Sequence, residues 1–399
     1  MISTKKPIIL TNFGYQRKNW IEPLEAIKDQ YDIVYLHFND KNDEYEKYTD
    51  SEVLYYSDFK NAQELIDKVQ PSIYITMGLN SYQTYAIRYI CKRKKIPFVY
   101  MDHGLYGKQE DYNKKSNVKI EKHHISPIKN KDSIRSTNYT FALFTFLRAF
   151  ALVKLSLIFV QIIYGKVTGK NPFSTSIHKY LVRPDKFISY SKENFRINQS
   201  LFSPKGEDVF FVGNFEYDKF RVASNTSLEQ YVLFIDSPLS DNPSNRYSFD
   251  TDTHLKIYKK ANEFAINNHL KLKIKLHPYN YFSKWLIKDE NIEYIRNVDI
   301  NTLIKQSEYC ISFYSTLLVP AIYFKPTIVL KVKEHSFIDF IEKENLSTIY
   351  TIEEFIQSKI SLPQKKADIS EDFKSLYFNL DDQTSEERIK NAIGKIIGL

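Results

Sequence analysis

Three short stretches pair residue types that could manage a phosphate and an attacking hydroxyl. Lys275-Leu276-His277-Pro278 closes the alternating strand-like run KLKIKL. Proline directly after histidine fixes the turn and holds the imidazole at the strand end. There it can donate to a phosphate oxygen and offset charge on a departing group, or serve as a plain turn histidine. Ser312-Phe313-Tyr314-Ser315-Thr316 follows the run YCISF and opens a helix-like stretch. Hydroxyls beside free backbone N–H groups there make either a phosphate site or an N-cap on Ser315. Asp102-His103-Gly104 follows PFVYM. An adjacent carboxylate and imidazole could supply a general base for a hydroxyl, with Gly104 permitting a tight turn; an ordinary Asp-x-Gly turn has the same form.

The chain has no GxGxxG after its first strand and no GxxxxGK[ST], which excludes the usual dinucleotide and P-loop readings. It has no HExxH, no GxSxG and no paired His/Cys spacing for a metal. No cofactor and no metal are expected.

The elements that must position these stretches alternate. Runs 7–12, 33–38, 72–77 and 97–101 read as buried strands, with helices predicted at 20–30, 61–69 and 82–94. A second series has strands at 231–236, 271–276, 292–296, 309–313 and 327–332, helices at 252–268 and 316–323, and a terminal amphipathic helix at 385–397. Strand–helix alternation implies mainly parallel sheets with right-handed crossovers. Doubly wound sheets bind ligands beyond the carboxyl ends of their strands, which is where all three stretches fall.

At 399 residues, two domains are expected. We place a Rossmann-like domain with the Asp102 stretch, read as the side of the attacking hydroxyl, at 1–215, a polar linker at 216–228, a second Rossmann-like domain with the phosphate-side stretches at 229–380, and a helix at 381–399 packing back on the first domain. Residues 109–138 are polar and lysine-rich and read as a long loop. Residues 141–163 (FALFTFLRAFALVKLSLIFVQII), inside an apolar helical insertion at about 139–166, form the most apolar segment. Arg148 and Lys154 would each cost about 2.5 kcal/mol or more at a bilayer midplane, so burial or interfacial binding is expected over a spanning helix.

A net charge of +8 admits an anionic partner: phosphates, acidic glycans or a membrane surface. Basic clusters such as Lys92-Arg93-Lys94-Lys95 are short, and no nucleic-acid-binding spacing accompanies them, so no nucleic acid partner is expected. Cys91 and Cys310 stand alone in apolar runs, which implies buried thiols and a reducing, cytoplasmic setting. No signal peptide is read at the N-terminus, where Lys5-Lys6-Pro7 runs into a strand.

The order Asp102-His103-Gly104, then His277-Pro278, then Ser315-Thr316 some forty residues on, resembles the GT-B sialyltransferases, polysialyltransferases and related capsule enzymes that use CMP-sugars. That resemblance implies an α/β fold of two Rossmann-like doubly wound domains facing a central cleft. It also implies His277, Ser315 and Thr316 on the CMP phosphate, and Asp102 as base. The pattern departs at His103, where that group often has a second acid. The same landmarks, His103-Gly104, Lys275-Leu276-His277-Pro278 and Tyr314-Ser315-Thr316, are similar to teichoic-acid-type polymerases using CDP-polyols; there the implied base is His103. Phe234-Ile235-Asp236-Ser237-Pro238 resembles the first donor-side loop of these folds, which puts Ser237 and Pro278 with the donor residues.

The expected activity is an inverting, metal-independent transfer of a sialic-acid-like sugar from a CMP-activated donor to a glycan or lipid-linked glycan acceptor. The setting would be the inner face of the cytoplasmic membrane. Transfer of a polyol phosphate from CDP-glycerol or CDP-ribitol is the alternative, and a catalytically degenerate assembly protein the non-enzymatic one.

Overall fold

A computed structural model describes residues 6–15, 18–38, 47–102, 131–169, 172–222, 230–241, 248–281, 283–296, 298–313, 315, 317–332, 341–342, 344–364 and 383–399. These divide into two compact units: the residues up to Phe215 together with the C-terminal helix, and those from Glu216 to Pro363 and Gln364.

Among the described residues, the first unit has seven parallel strands: β1 (Ile8–Thr11), β2 (Asp32–His37), β3 (Glu52–Tyr55), β4 (Ile73–Thr76), β5 (Phe98–Met101), β6 (Lys186–Ser189) and β7 (Val209–Phe211). Their order is β3-β2-β1-β4-β5-β6-β7. The second unit orders β8 (Tyr231–Ile235), β9 (Lys271–Lys275), β10 (Ile292–Ile295), β11 (Tyr309–Ser312), β12 (Thr327–Lys331) and β13 (Thr348–Thr351) as β10-β9-β8-β11-β12-β13. All neighbours pair in parallel; Leu233, for example, lies between Lys273 and Cys310. Both sheets run outward from a central strand and then reverse, so a switch point lies between β1 and β4 and another between β8 and β11.

Helices cover both faces, which is why β4, β5 and β8 are buried at every residue. In the first unit these are α1 (Lys18–Glu25), α2 (Ala62–Val69), α3 (Tyr82–Lys94), α4 (Lys131–Arg148), α5 (Leu152–Thr168), α6 (Ser176–Val182) and α7 (Lys192–Phe202). In the second they are α8 (Phe215–Val222, from Glu216 on), α9 (Thr251–Asn267), α10 (Ile300–Gln306), α11 (Leu318–Phe324) and α12 (Ile352–Gln357). A final helix, α13 (Ser385–Ile397), returns to the first unit, where Ile389, Ala392 and Ile393 join the core of Ile9, Ile33 and Ile75. A Thr384–Glu387 capping box starts it, and Gly398 at φ 80° ends it.

Two expectations need correction. The polar stretch after 215 is not a linker throughout: residues 215–222 form α8, Phe220 is fully buried in the second unit's core, and Tyr217 stacks on Phe324. Two aromatic anchors outweigh the polar composition. Likewise residues 131–138, read as loop, begin α4. The rest of the lysine-rich stretch, 109–130, lies outside the described residues.

The apolar segment 141–163 is two helices. Leu147 O accepts from Phe150 N at 3.0 Å and Phe146 O from Ala151 N at 2.8 Å, the paired bonds that close a helix on a left-handed residue. That residue is Phe150, at φ 52°. The hairpin packs inward through Phe141, Ala142, Phe146 and Ile158 on the core of α2 and α3. Gln161 Nε2 ties it down, its two hydrogens shared among Tyr85 Oη, Pro172 O and Thr175 Oγ1, while Tyr85 Oη meets His178 Nδ1 at 2.7 Å. Among the described residues no helix is long and apolar enough to cross a membrane.

Candidate active site

Among the described residues of the second unit, a buried polar cluster lies at the ends of β8 and β9. Asp236 follows β8 directly and is almost fully buried. Its Oδ2 accepts from the backbone N–H of His277 at 3.1 Å and from Asn280 Nδ2 at 2.8 Å. Its Oδ1 lies 3.1 Å from His254 Nε2. His254, fully buried on α9, meets Ser240 Oγ through Nδ1 and is ringed by Phe249, Tyr258, Trp285 and Phe313. Burial, with the Asp236 carboxylate beside it, pushes the Tyr258 phenol well above its usual range.

The His277-Pro278 stretch is thus pinned to the neighbouring strand. His277 is half-buried, at the start of a short 3₁₀ turn (Pro278–Asn280), and its Nδ1 accepts from Tyr279 N at 3.2 Å. An accepting Nδ1 leaves the ring proton on Nε2, the arrangement a phosphate donor requires. Lys275 is committed elsewhere: its Nζ donates to Arg296 O at 2.6 Å, Leu276 O at 3.2 Å and Tyr281 Oη at 3.4 Å. Three donors on three acceptors staple β9 to the end of β10, so this lysine holds the strand ends together. Ser237, buried beside Asp236, offers its carbonyl to Leu239 N at 2.8 Å.

Ser315 leaves β11 on the other side of β8. Neighbouring strands lie about 4.8 Å apart, so the loops after β9 and β11 emerge roughly 10 Å from each other. Helix α11 begins at Leu318, two residues later than expected, without a side-chain cap; Ser315 Oγ accepts from Leu317 N at 3.2 Å. Thr316 lies outside the described residues, as do His103 and Gly104.

In the first unit Asp102 directly follows β5 and is fully buried. Ser189 Oγ donates to its Oδ2 and Asn198 Nδ2 to its Oδ1 at 3.2 Å, while its own N–H donates to Ile188 O. Burial drives this carboxyl up to about 7; Ser189, the backbone N–H of Tyr190 and Asn198 pull against it. A general base at neutral pH needs that acidity, but here the carboxylate faces β6 and α7.

No protein-family model matches the sequence, and no curated protein matches it. Solved structures do. The UDP-GlcNAc 2-epimerase of Methanocaldococcus jannaschii is 12% identical over 98% of this chain and 100% of its own, with a TM-score of 0.51. The wall teichoic acid polymerase TagF is 13% identical over 98% and 89%, with a TM-score of 0.52.

The fold is GT-B.

Two Rossmann-like units of this fold put Asp236, Ser237, His277 and Asn280 beside one switch point, and Asp102 beside the end of the first unit's sheet. Sequence reasoning reached His277 and the Asp236 loop but missed Asp236 itself, His254 and Asn280. Asp236 had a signal, as the first residue after an all-apolar strand. His254 had none, since a lone histidine in an amphipathic helix reads as surface. Both cysteines are buried, and burial pushes each thiol up to about 12, so neither is a nucleophile.

Proposed function

We propose that this chain is a GT-B glycosyltransferase moving a sialic-acid-like sugar from a CMP-activated donor to a bacterial surface glycan. The observation that carries the reading is His277, whose backbone N–H is tied to Asp236 and whose Nδ1 accepts from Tyr279 N, beside the β8–β11 switch point. The imidazole would donate to the donor phosphate, with Ser237, Ser315 and Thr316 adding hydroxyls or backbone N–H groups. Bonding would strengthen as charge collects on departing CMP, so the transition state would gain most. Asp102, with a carboxyl near neutrality, would take the acceptor hydroxyl's proton as oxygen attacks the anomeric carbon with inversion. No metal enters the proposal, because protein hydrogen-bond donors meet the phosphate charge. The setting proposed is the cytoplasmic face of a membrane, with a lipid-linked glycan as acceptor.

A second reading has an observation on its side. Asp102 is fully enclosed and its carboxylate engaged by Ser189 and Asn198, which suits a residue that orients its neighbour. His103 would then be the base, and attack on phosphorus would release CMP from a CDP-polyol.

Incubating purified protein with CMP-sugars, CDP-glycerol, CDP-ribitol and UDP-sugars, and measuring nucleotide released, tests both. Release from a CMP-sugar supports the first reading, and release from a CDP-polyol the second. Release from UDP-sugars alone overturns both.

A further inference from the structure

A cavity of about 750 Å³ opens in the first unit between α3, α5 and α6, apart from Asp102. Arg88, Lys92 and Arg93 of α3, Lys154 of α5, Lys179 of α6 and Arg183 just beyond it line this cavity. Asp185 answers only Arg88, whose Nη1 and Nη2 reach its two oxygens at 2.9 and 2.6 Å. Among the described residues no carboxylate pairs with the other five. Five like charges converging on one concavity repel one another unless an anion joins them. Tyr180, 65% exposed, lies against Lys154, whose Nζ is 3.6 Å from the ring centre.

The cavity borders the turn of the α4–α5 hairpin, since Phe146 and Lys154 line it and the turn lies between them. That turn is apolar and exposed: Phe150 is 89%, Val153 75% and Leu152 59% accessible, with Leu147 and Phe144 beside them. A solvated protein rarely presents such a row, and apolar tips beside basic clusters suit an anionic bilayer interface.

We propose that this cavity binds the phosphate-bearing headgroup of an anionic membrane lipid while the Phe150 turn enters the interface. The shape argues for it: cations recessed in a concavity fit a discrete phosphate, and the adjoining apolar rim continues along the acyl chains. The inference rests on the membrane setting proposed above and not on the transfer chemistry.

Sedimentation with phosphatidylcholine vesicles, with and without phosphatidylglycerol, tests it. Wild type should partition onto the anionic vesicles at least about 25-fold better. Each basic side chain near an anionic surface is worth a factor of about five, so Lys92→Gln with Lys179→Gln should lose roughly 25-fold. Phe150→Ser with Val153→Ser should weaken binding to both vesicle types. The residues changed are surface or cavity-lining, so melting curves should match wild type; a pair that melts early is replaced by Lys92→Gln alone, expected to lose about fivefold. Equal partitioning onto both vesicles, or wild-type partitioning of the lysine variants, overturns the proposal. So does tight binding of inorganic phosphate, read by calorimetry, without vesicle binding. Nucleotide release in solution should be unchanged in every variant, which separates failure here from failure of the transfer reading.

Discussion

The backbone N–H of His277 donates to Oδ2 of Asp236 at 3.1 Å, although the two residues stand 41 positions apart. The bond ties the loop after β9 to the end of β8, and Asn280 doubles it at 2.8 Å. The loop that carries this candidate-site histidine is therefore positioned by a buried carboxylate.

Replacing Asp236 should show both roles. Asp236→Ala leaves His254 and Asn280 facing an empty buried site, costing about 3 kcal/mol of stability. Asp236→Asn should fold nearly as well but let the loop shift, lowering turnover by something like a hundredfold. Thermal melts paired with nucleotide release distinguish these outcomes; wild-type turnover in both variants would remove Asp236 from the site.

His277→Ala should cut turnover about a hundredfold or more while CMP still binds, as for loss of one transition-state donor. A variant binding and turning over normally would refute the central assignment. Asp102→Asn and His103→Ala should spare CMP binding and abolish transfer, and whichever leaves activity largely intact is not the base.

Asp102 also predicts a pH dependence. Its folded-state acidity is about 7, raised from 3.8, so between those values the folded form holds a proton that the unfolded chain has released. Stability from this group is full below pH 4 and is lost as pH rises through 7, by up to about 4 kcal/mol. Asp102→Asn should flatten that slope in urea melts between pH 4 and 8; an unchanged slope would mean the carboxyl titrates normally.

Phe150 sits at φ 52° in a position glycine favours. Phe150→Gly should therefore raise stability by about 1 kcal/mol, read as a higher Tm, while vesicle binding falls. A lower Tm would mean that the exposed ring packs on its own hairpin.

Gln161→Leu should free the hairpin from α3 and α6, because the two hydrogens of one buried amide, shared among three acceptors, are lost. The expected cost is about 2 kcal/mol, with faster amide exchange confined to residues 152–182. Uniform exchange would show that apolar packing alone holds α5.

What the sequence determined by itself is the fold. Strands buried on both faces must be apolar throughout, and helices between them keep a 3.6-residue period, so the boundaries of α3 and α13 were legible to the residue. Strand-end placement put His277 and Asp102 just beyond β9 and β5 from sequence too. Tertiary structure alone decided what those residues meet. Asp236 reaches His277 because β8 and β9 are neighbours, and Asp102 is enclosed because β6 and α7 bring Ser189 and Asn198 to it. The cation-lined cavity takes Lys92, Lys154 and Lys179 from three separate helices. Local pattern records which face of its own element a residue occupies; which other element arrives there depends on packing across the whole sheet.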